Sequence, residues 1–172
     1  LGLSRKQRCP PLQPLLRRPF SIHRIGGRNV EILYEAVGRG SQILSQKKAG
    51  EYLDIIGPLG NGFNNYTLYA KRSTLILVAG GMGVAPLIFF AERLAGGNNR
   101  KLKTLVLIGA KDKKHILCAD EFKKYGCAVK IATDDGSCGF KGKVTDLLKY
   151  LLSAKRSTLN AIYACGPAPM LR

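Results

Sequence analysis

Residues 77–86 read LVAGGMGVAP, an apolar run that ends in three glycines within four positions, Gly80, Gly81 and Gly83. A backbone without Cβ atoms can turn sharply from strand to helix and lie close against a diphosphate or a sugar. The helix that follows offers free N–H groups and a positive dipole end to an anion. Pro86 suits a first helical turn, where its missing N–H costs nothing. The same glycines suit a tight packing turn, and a proline stands where the third glycine of a dinucleotide fingerprint belongs. A second set of candidates is RRPFSI, residues 17–22. An arginine there can fork onto a diphosphate, and Ser21 follows Arg18 by three residues, within reach of a bound ring. A basic strand edge with a buried Phe20 is the alternative. Two more glycine-bearing turns carry polar chemistry: TDDGS, with Asp134 and Asp135, and CGPAP, with Cys165, Gly166 and Pro167. Carboxylates beside an adenosine ribose would repel a 2′-phosphate and favour NAD over NADP; in a plain turn they would cap a helix. Cys165 is either a thiol at a reactive ring edge or a small buried side chain at a strand end.

These residues need elements to hold them. From Lys71 onward short, continuously apolar strands (75–79, 104–108, 128–132 and 161–164) alternate with helix-like stretches (84–95, 120–125 and 144–152). That alternation indicates a parallel sheet covered on both faces, with ligands at the carboxyl ends of its strands. All three glycine turns fall at such ends. Before Lys71 the segments PFSIHRI, VEILYEAV and EYLDIIGPLG are short and extended, with Gly-rich turns between them. They read as part of an antiparallel barrel. The expected architecture is therefore β followed by α/β: a truncated antiparallel barrel over residues 1–70 and a nucleotide-binding α/β unit over 71–172, with the boundary near residues 69–73.

The chain has 172 residues and a net charge of +17. Such a charge admits nucleic acid, an anionic membrane or an acidic partner. The lysines are scattered, Trp is absent, and no basic stripe is interleaved with aromatics, so a solvated basic surface is the better reading. Residues 75–91 are uncharged, but a span needs ~20 residues and this run has Gly80, Gly81, Gly83 and Pro86 at its centre. The five cysteines, at 9, 118, 127, 138 and 165, include no C-x-x-C pair and form no disulfide framework. Reduced thiols and a cytoplasmic location are expected. The first stretch lacks a secretory apolar core, although its Arg-rich, acid-free character also suits a transit peptide.

Taken in order, RRPFSI, YEAVGRGS, LDIIGPLGNGF, LVAGGMGVAPL, ATDDGSCGFKG and YACGPAPML resemble the ferredoxin–NADP reductase superfamily, from about residue 14 to 172. Within it the chain is most similar to the electron-transfer subunits of NAD-dependent dihydroorotate dehydrogenases. The resemblance implies FAD bound by Arg18, Pro19, Phe20 and Ser21, with Arg18 on the diphosphate and Ser21 near the flavin ring. Leu33, Tyr34 and Glu35 match a second FAD-contacting strand, and Gly40 and Ser41 a pair that closes on the diphosphate. Gly80, Gly81, Gly83, Cys165, Gly166 and Pro167 match the turns that receive NAD(H), with Asp134 and Asp135 as ribose-side candidates. Hydride would pass between stacked nicotinamide and flavin rings, so that positioning is most of the catalysis; Ser21 and Cys165 are the residues expected nearest the chemistry.

Relatives begin with further barrel strands and carry a cysteine cluster for a [2Fe–2S] centre beyond the CGPxPM motif. The chain thus reads as a fragment at both ends, with no metal ligands of its own: Cys9, Cys118, Cys127 and Cys138 do not match that cluster. The implied function is to take hydride from NADH onto FAD and exchange electrons with a dihydroorotate dehydrogenase catalytic subunit in a hetero-oligomer. The alternatives are a subunit of an NADH-dependent ferredoxin:NADP reductase, sulfide dehydrogenase or hydrogenase, and, in a different class, a basic module binding nucleic acid or a membrane surface. His23 and His115 are expected to have no role.

Overall fold

The structure is a computed structural model; it describes residues 16–63, 74–96, 103–154 and 159–172. The expected boundary at residues 69–73 lies outside the described residues. The C-terminal part is a five-stranded parallel sheet in the order β6-β5-β4-β3-β7. Its strands are β3 (Thr74–Gly80), β4 (Lys103–Ala110), β5 (Ala128–Thr133), β6 (Phe140–Lys141) and β7 (Leu159–Cys165). The side chains of β3 alternate between two apolar layers, as a strand buried on both faces requires. Leu75, Leu77 and Ala79 face α2 (Val84–Gly96) and α3 (Ala119–Lys124), packing with Leu87, Ile88 and Phe122. Ile76 and Val78 face α4 (Val144–Ala154) through Val144 and Leu147.

Each strand and helix read from the apolar runs is present, displaced by at most two residues at an end. The sheet also contains β6, two residues long, and the chain closes with α5 (Ala168–Leu171).

The N-terminal part carries one antiparallel hairpin, β1 (Ile22–Gly26) paired with β2 (Asn29–Ile32), which turns at Gly27 with φ +59°. A short helix, α1 (Arg39–Ser45), follows; residues 51–60, expected to be extended like their neighbours, pair with no strand among the described residues. Several side chains bind this part to the sheet unit: the His23 ring faces the Ala85 carbonyl at 3.4 Å, and Arg24 pairs with Glu121. Leu33 packs against the α2 layer. Phe63, the last residue of GPLGNGF, sits against Phe90 and Tyr163, with ring centroids 5.1 and 5.6 Å away.

Candidate functional site

In the order β6-β5-β4-β3-β7 the connections run outward from β3 and then return to its other side. The β3/β7 boundary is therefore the topological switch point of the sheet, where open α/β sheets form their ligand crevice. The chain places GGMG at the carboxyl end of β3 and CGPAP at the carboxyl end of β7, with Ala79 paired to Cys165.

The glycines there serve two purposes. A Cβ on Gly83 would overlap the Cys165 carbonyl and stand 2.9 Å from the Gly166 nitrogen. A Cβ on Gly80 would stand 2.6 Å from the Met170 sulfur, and one on Gly166 3.1 Å from the Gly80 nitrogen. These three glycines let the two turns touch. Gly81 differs: its φ is +53° and nothing lies within 4 Å of its missing Cβ. It opens space instead of closing a contact. Gly81–Gly83 form one 3₁₀ turn that runs straight into α2, and Pro86 stands in the first turn of that helix.

An open cleft of about 250 Å³ lies between the two parts of the molecule. Pro19, Phe20, Ser21, Leu33, Tyr34 and Glu35 line it on one side, with Val37, and Met82 and Ala85 line it on the other. Phe20 and Tyr34 meet edge to face at 5.7 Å and 74°. Met82, Val37 and Ala85 were not among the residues singled out from sequence. Met82 was legible as the one side chain inside the glycine turn; nothing in the sequence marks Val37 or Ala85.

The remaining candidates stand outside that lining. The Arg18 guanidinium donates to the Leu16 carbonyl at 2.8 Å. Its neighbour Arg17 is tied to Asp54, donating to the carboxylate at 2.5 Å and to the backbone carbonyl at 2.9 Å. Gly40 and Ser41 fall in the first turn of α1, where the Ser41 hydroxyl donates to the Gly38 carbonyl at 3.0 Å. Asp135 accepts from the Ser137 amide and hydroxyl, and these two bonds hold its carboxyl below the usual range. Asp134 is exposed beside it. Ser137 also receives the Lys113 amide at 2.8 Å, which ties the turn after β5 to the turn after β4. Cys165 is half-buried, and burial pushes its thiol up.

An apolar and aromatic cleft wall, an open glycine turn opposite it, and a helix start suit a flat aromatic ring and a nucleotide. The residues lining the cleft suit the ring end of a flavin, while those expected on the diphosphate and the ribose lie outside the lining.

Residues 77–172 match the family model described as oxidoreductase NAD-binding domain. The electron transfer subunit of dihydroorotate dehydrogenase B (NAD(+)) from Desulforamulus reducens is 43% identical over 161 residues, 92% of this chain and 58% of that protein. The subunit of the same name from Fusobacterium nucleatum is 41% identical over 160 residues, covering 92% and 60%. The chain therefore spans about three-fifths of these relatives' length. Among solved structures, an NADH-dependent reduced ferredoxin-NADP oxidoreductase superposes with a TM-score of 0.74 at 30% identity, over 90% of this chain and 54% of that one. A flavohaemoglobin from Malassezia yamatoensis with bound FAD and haem superposes at 0.70 and 20% identity, over 88% and 40%, a likeness of fold. No described helix is long and apolar enough to cross a membrane.

Proposed function

The chain belongs to the oxidoreductase NAD-binding family, with the ferredoxin reductase type of fold, and from that premise we propose that it is the FAD- and NAD-handling part of an electron-transfer subunit serving a dihydroorotate dehydrogenase catalytic subunit. One observation carries this reading: Met82 and Ala85 of the nucleotide turn share a cleft with Pro19, Phe20, Ser21, Leu33, Tyr34 and Glu35. A nicotinamide ring held by the first group would face a flavin ring held by the second. The similarity to the Desulforamulus and Fusobacterium subunits points to the acceptor.

In this reading FAD, when bound, supplies the two-electron acceptor that can release electrons singly. The chain supplies placement. Phe20, Tyr34 and Leu33 form an apolar wall that excludes water from the ring. Ser21 offers a hydroxyl hydrogen bond to the ring edge. The Arg18 guanidinium, held only by exposed carbonyls, turns to the diphosphate, and Gly40 and Ser41 approach it from α1. Gly81 leaves room for the nucleotide, and the positive end of the α2 dipole favours its negative charge. Cys165, with Gly166 and Pro167, borders the nicotinamide. Asp134 and Asp135 lie on the ribose side and disfavour a 2′-phosphate. The [2Fe–2S] centre belongs to sequence beyond this chain, and the whole works in the cytoplasm as a hetero-oligomer. A second reading, a subunit related to ferredoxin:NADP reductases, is favoured by the 30% identity to that structure.

The decisive pair of variants is Arg18→Ala and Arg17→Ala in the full-length protein. A charge-assisted contact is worth about 1.5–3 kcal/mol, so Arg18→Ala should weaken FAD retention roughly ten- to a hundredfold. Arg17→Ala should only free the Asp54 loop. Flavin retained after gel filtration reads both; equal losses would mean that the diphosphate arginine is misassigned. Reconstitution with the dihydroorotate dehydrogenase catalytic subunit then tests the acceptor, through NADH-dependent reduction of orotate.

A further inference from the structure

We propose that His23, Cys118 and Glu121 form a site for a zinc-class divalent cation, which clips the β1 hairpin to α3. The three side chains offer ligand atoms that all lie within 4.8 Å of one another. They come from separate places: His23 from β1, Cys118 from the residue that precedes α3, and Glu121 from the first turn of α3. Nitrogen, sulfur and one carboxylate oxygen make a donor set that suits zinc, with a fourth position left for water.

The imidazole is the second observation. His23 is buried, at 7% exposure. Its Nδ1 lies 3.4 Å from the Ala85 carbonyl, which can only accept, so Nδ1 carries the hydrogen. In the neutral ring Nε2 is then a bare lone pair, and it lies 3.6 Å from a Glu121 carboxylate oxygen. Two acceptors meet beside a thiol. The Glu121 oxygen is already held by the Arg24 guanidinium, so the Nε2 lone pair of the neutral ring is the group left to take a cation. A carbonyl that fixes the tautomer through the other ring nitrogen is the outer support that metal-bound histidines commonly have.

Cys118 supplies the third. It is the one residue other than glycine with positive φ, +58°, among the described residues. That conformation costs an ordinary side chain about 1–2 kcal/mol and persists where surroundings impose it, often at functional positions. Here it presents the sulfur to the same point as the imidazole and the carboxylate. Arg24 pairs with Glu121 and lies 3.8 Å from Glu31. Arg24 holds the same Glu121 oxygen that faces His23, so the other carboxylate oxygen is the one that would turn to the cation. The Cys118 thiol releases its proton to solvent as the ion binds, and the resulting thiolate and the carboxylate neutralise the two charges of the ion.

The experiment is zinc analysis of the full-length flavoprotein, dialysed at buffered micromolar free zinc, with X-ray absorption at the zinc edge. The expected result is one zinc per chain with a single sulfur at about 2.3 Å and the other neighbours nitrogen or oxygen at about 2.0–2.2 Å. Cys118→Ser and His23→Gln should each weaken retention by more than the roughly 10- to 100-fold that loss of an outer-shell partner costs. Zinc with four sulfurs would place the ion elsewhere and overturn the proposal. So would the absence of zinc from the unaltered protein. The absorption spectrum of the unaltered protein decides the matter even if a variant fails to fold.

Discussion

Gly83 and Gly81 stand two residues apart and should answer differently to the same change. Gly83→Ala forces a methyl into the Cys165–Gly166 backbone. Rigid backbone cannot give as a side chain can, so the cost should exceed the usual 1–3 kcal/mol of overpacking. Gly81→Ala meets no atom and bears only the strain of its positive φ, about 1–2 kcal/mol. Thermal melting should rank Gly83→Ala well below Gly81→Ala, while NADH affinity should fall for Gly81→Ala even where the fold holds. Equal melting temperatures would contradict the contact. Cys165 gives a second test at this scale. Burial pushes its thiol up, so little thiolate exists near neutral pH. Residue-resolved iodoacetamide labelling at pH 7.5 should modify it more slowly than a peptide cysteine, with the rate climbing above the ordinary thiol range. Fast labelling at neutral pH would show an activated thiol instead.

At the scale of elements, the TDDGSCG turn is held from beneath. Thr133 is fully buried, and its hydroxyl donates to the Cys138 carbonyl at 2.9 Å and accepts from the Cys138 amide at 3.1 Å. Thr133→Val removes both partners and leaves two groups unpaired, at about 1–3 kcal/mol for each group that stays buried. The melting temperature should fall by about 2–4 °C per kcal/mol; no change would mean that water replaces the hydroxyl. Elements with a buried face were legible in the sequence, since β3, β4, β5, α2 and α4 are all apolar runs that feed a core. Elements without one were not. α1 buries no residue, and β6 is two residues long with its Phe140 only partly covered. Residues 51–60 show the converse: their apolar residues suggested a strand, yet Tyr52 is 97% and Ile55 76% exposed. The turns of the candidate site could be read from their glycines. The cleft could not, because Met82 and Val37 meet only when the chain has folded.

Across the whole molecule, the strand order decides where a nucleotide acts. The carboxyl ends of β3 and β7 are neighbours at the switch point, while the amino ends of the same strands lie a strand length away. Hydrogen exchange with and without NADH should therefore show protection at residues 80–85 and 166–168 together, with none at Thr74 or Lys103. Protection at the amino ends, or at only one of the two turns, would contradict a shared crevice. The charge of +17 belongs to this scale too. It bears on how fast an acidic partner arrives and says little about where the ligand sits.

The contact between Gly83 and the Cys165 backbone has a consequence for how such a chain can drift over generations. Its two sides lie about eighty positions apart in the sequence, yet neither can accommodate a change in the other. There is no side chain opposite Gly83 to shrink, since the obstacle is main chain, and the next residue, Gly166, is already the smallest there is. The pairing of β7 with β3 keeps the obstacle from moving aside. A lineage that stopped binding nucleotide would therefore still retain Gly83, whereas Gly80 and Gly166 first meet the flexible Met170 side chain, and Gly81 meets no atom and bears only the strain of its positive φ. The spelling of that one position, more than the motif around it, records whether the crevice is still in use.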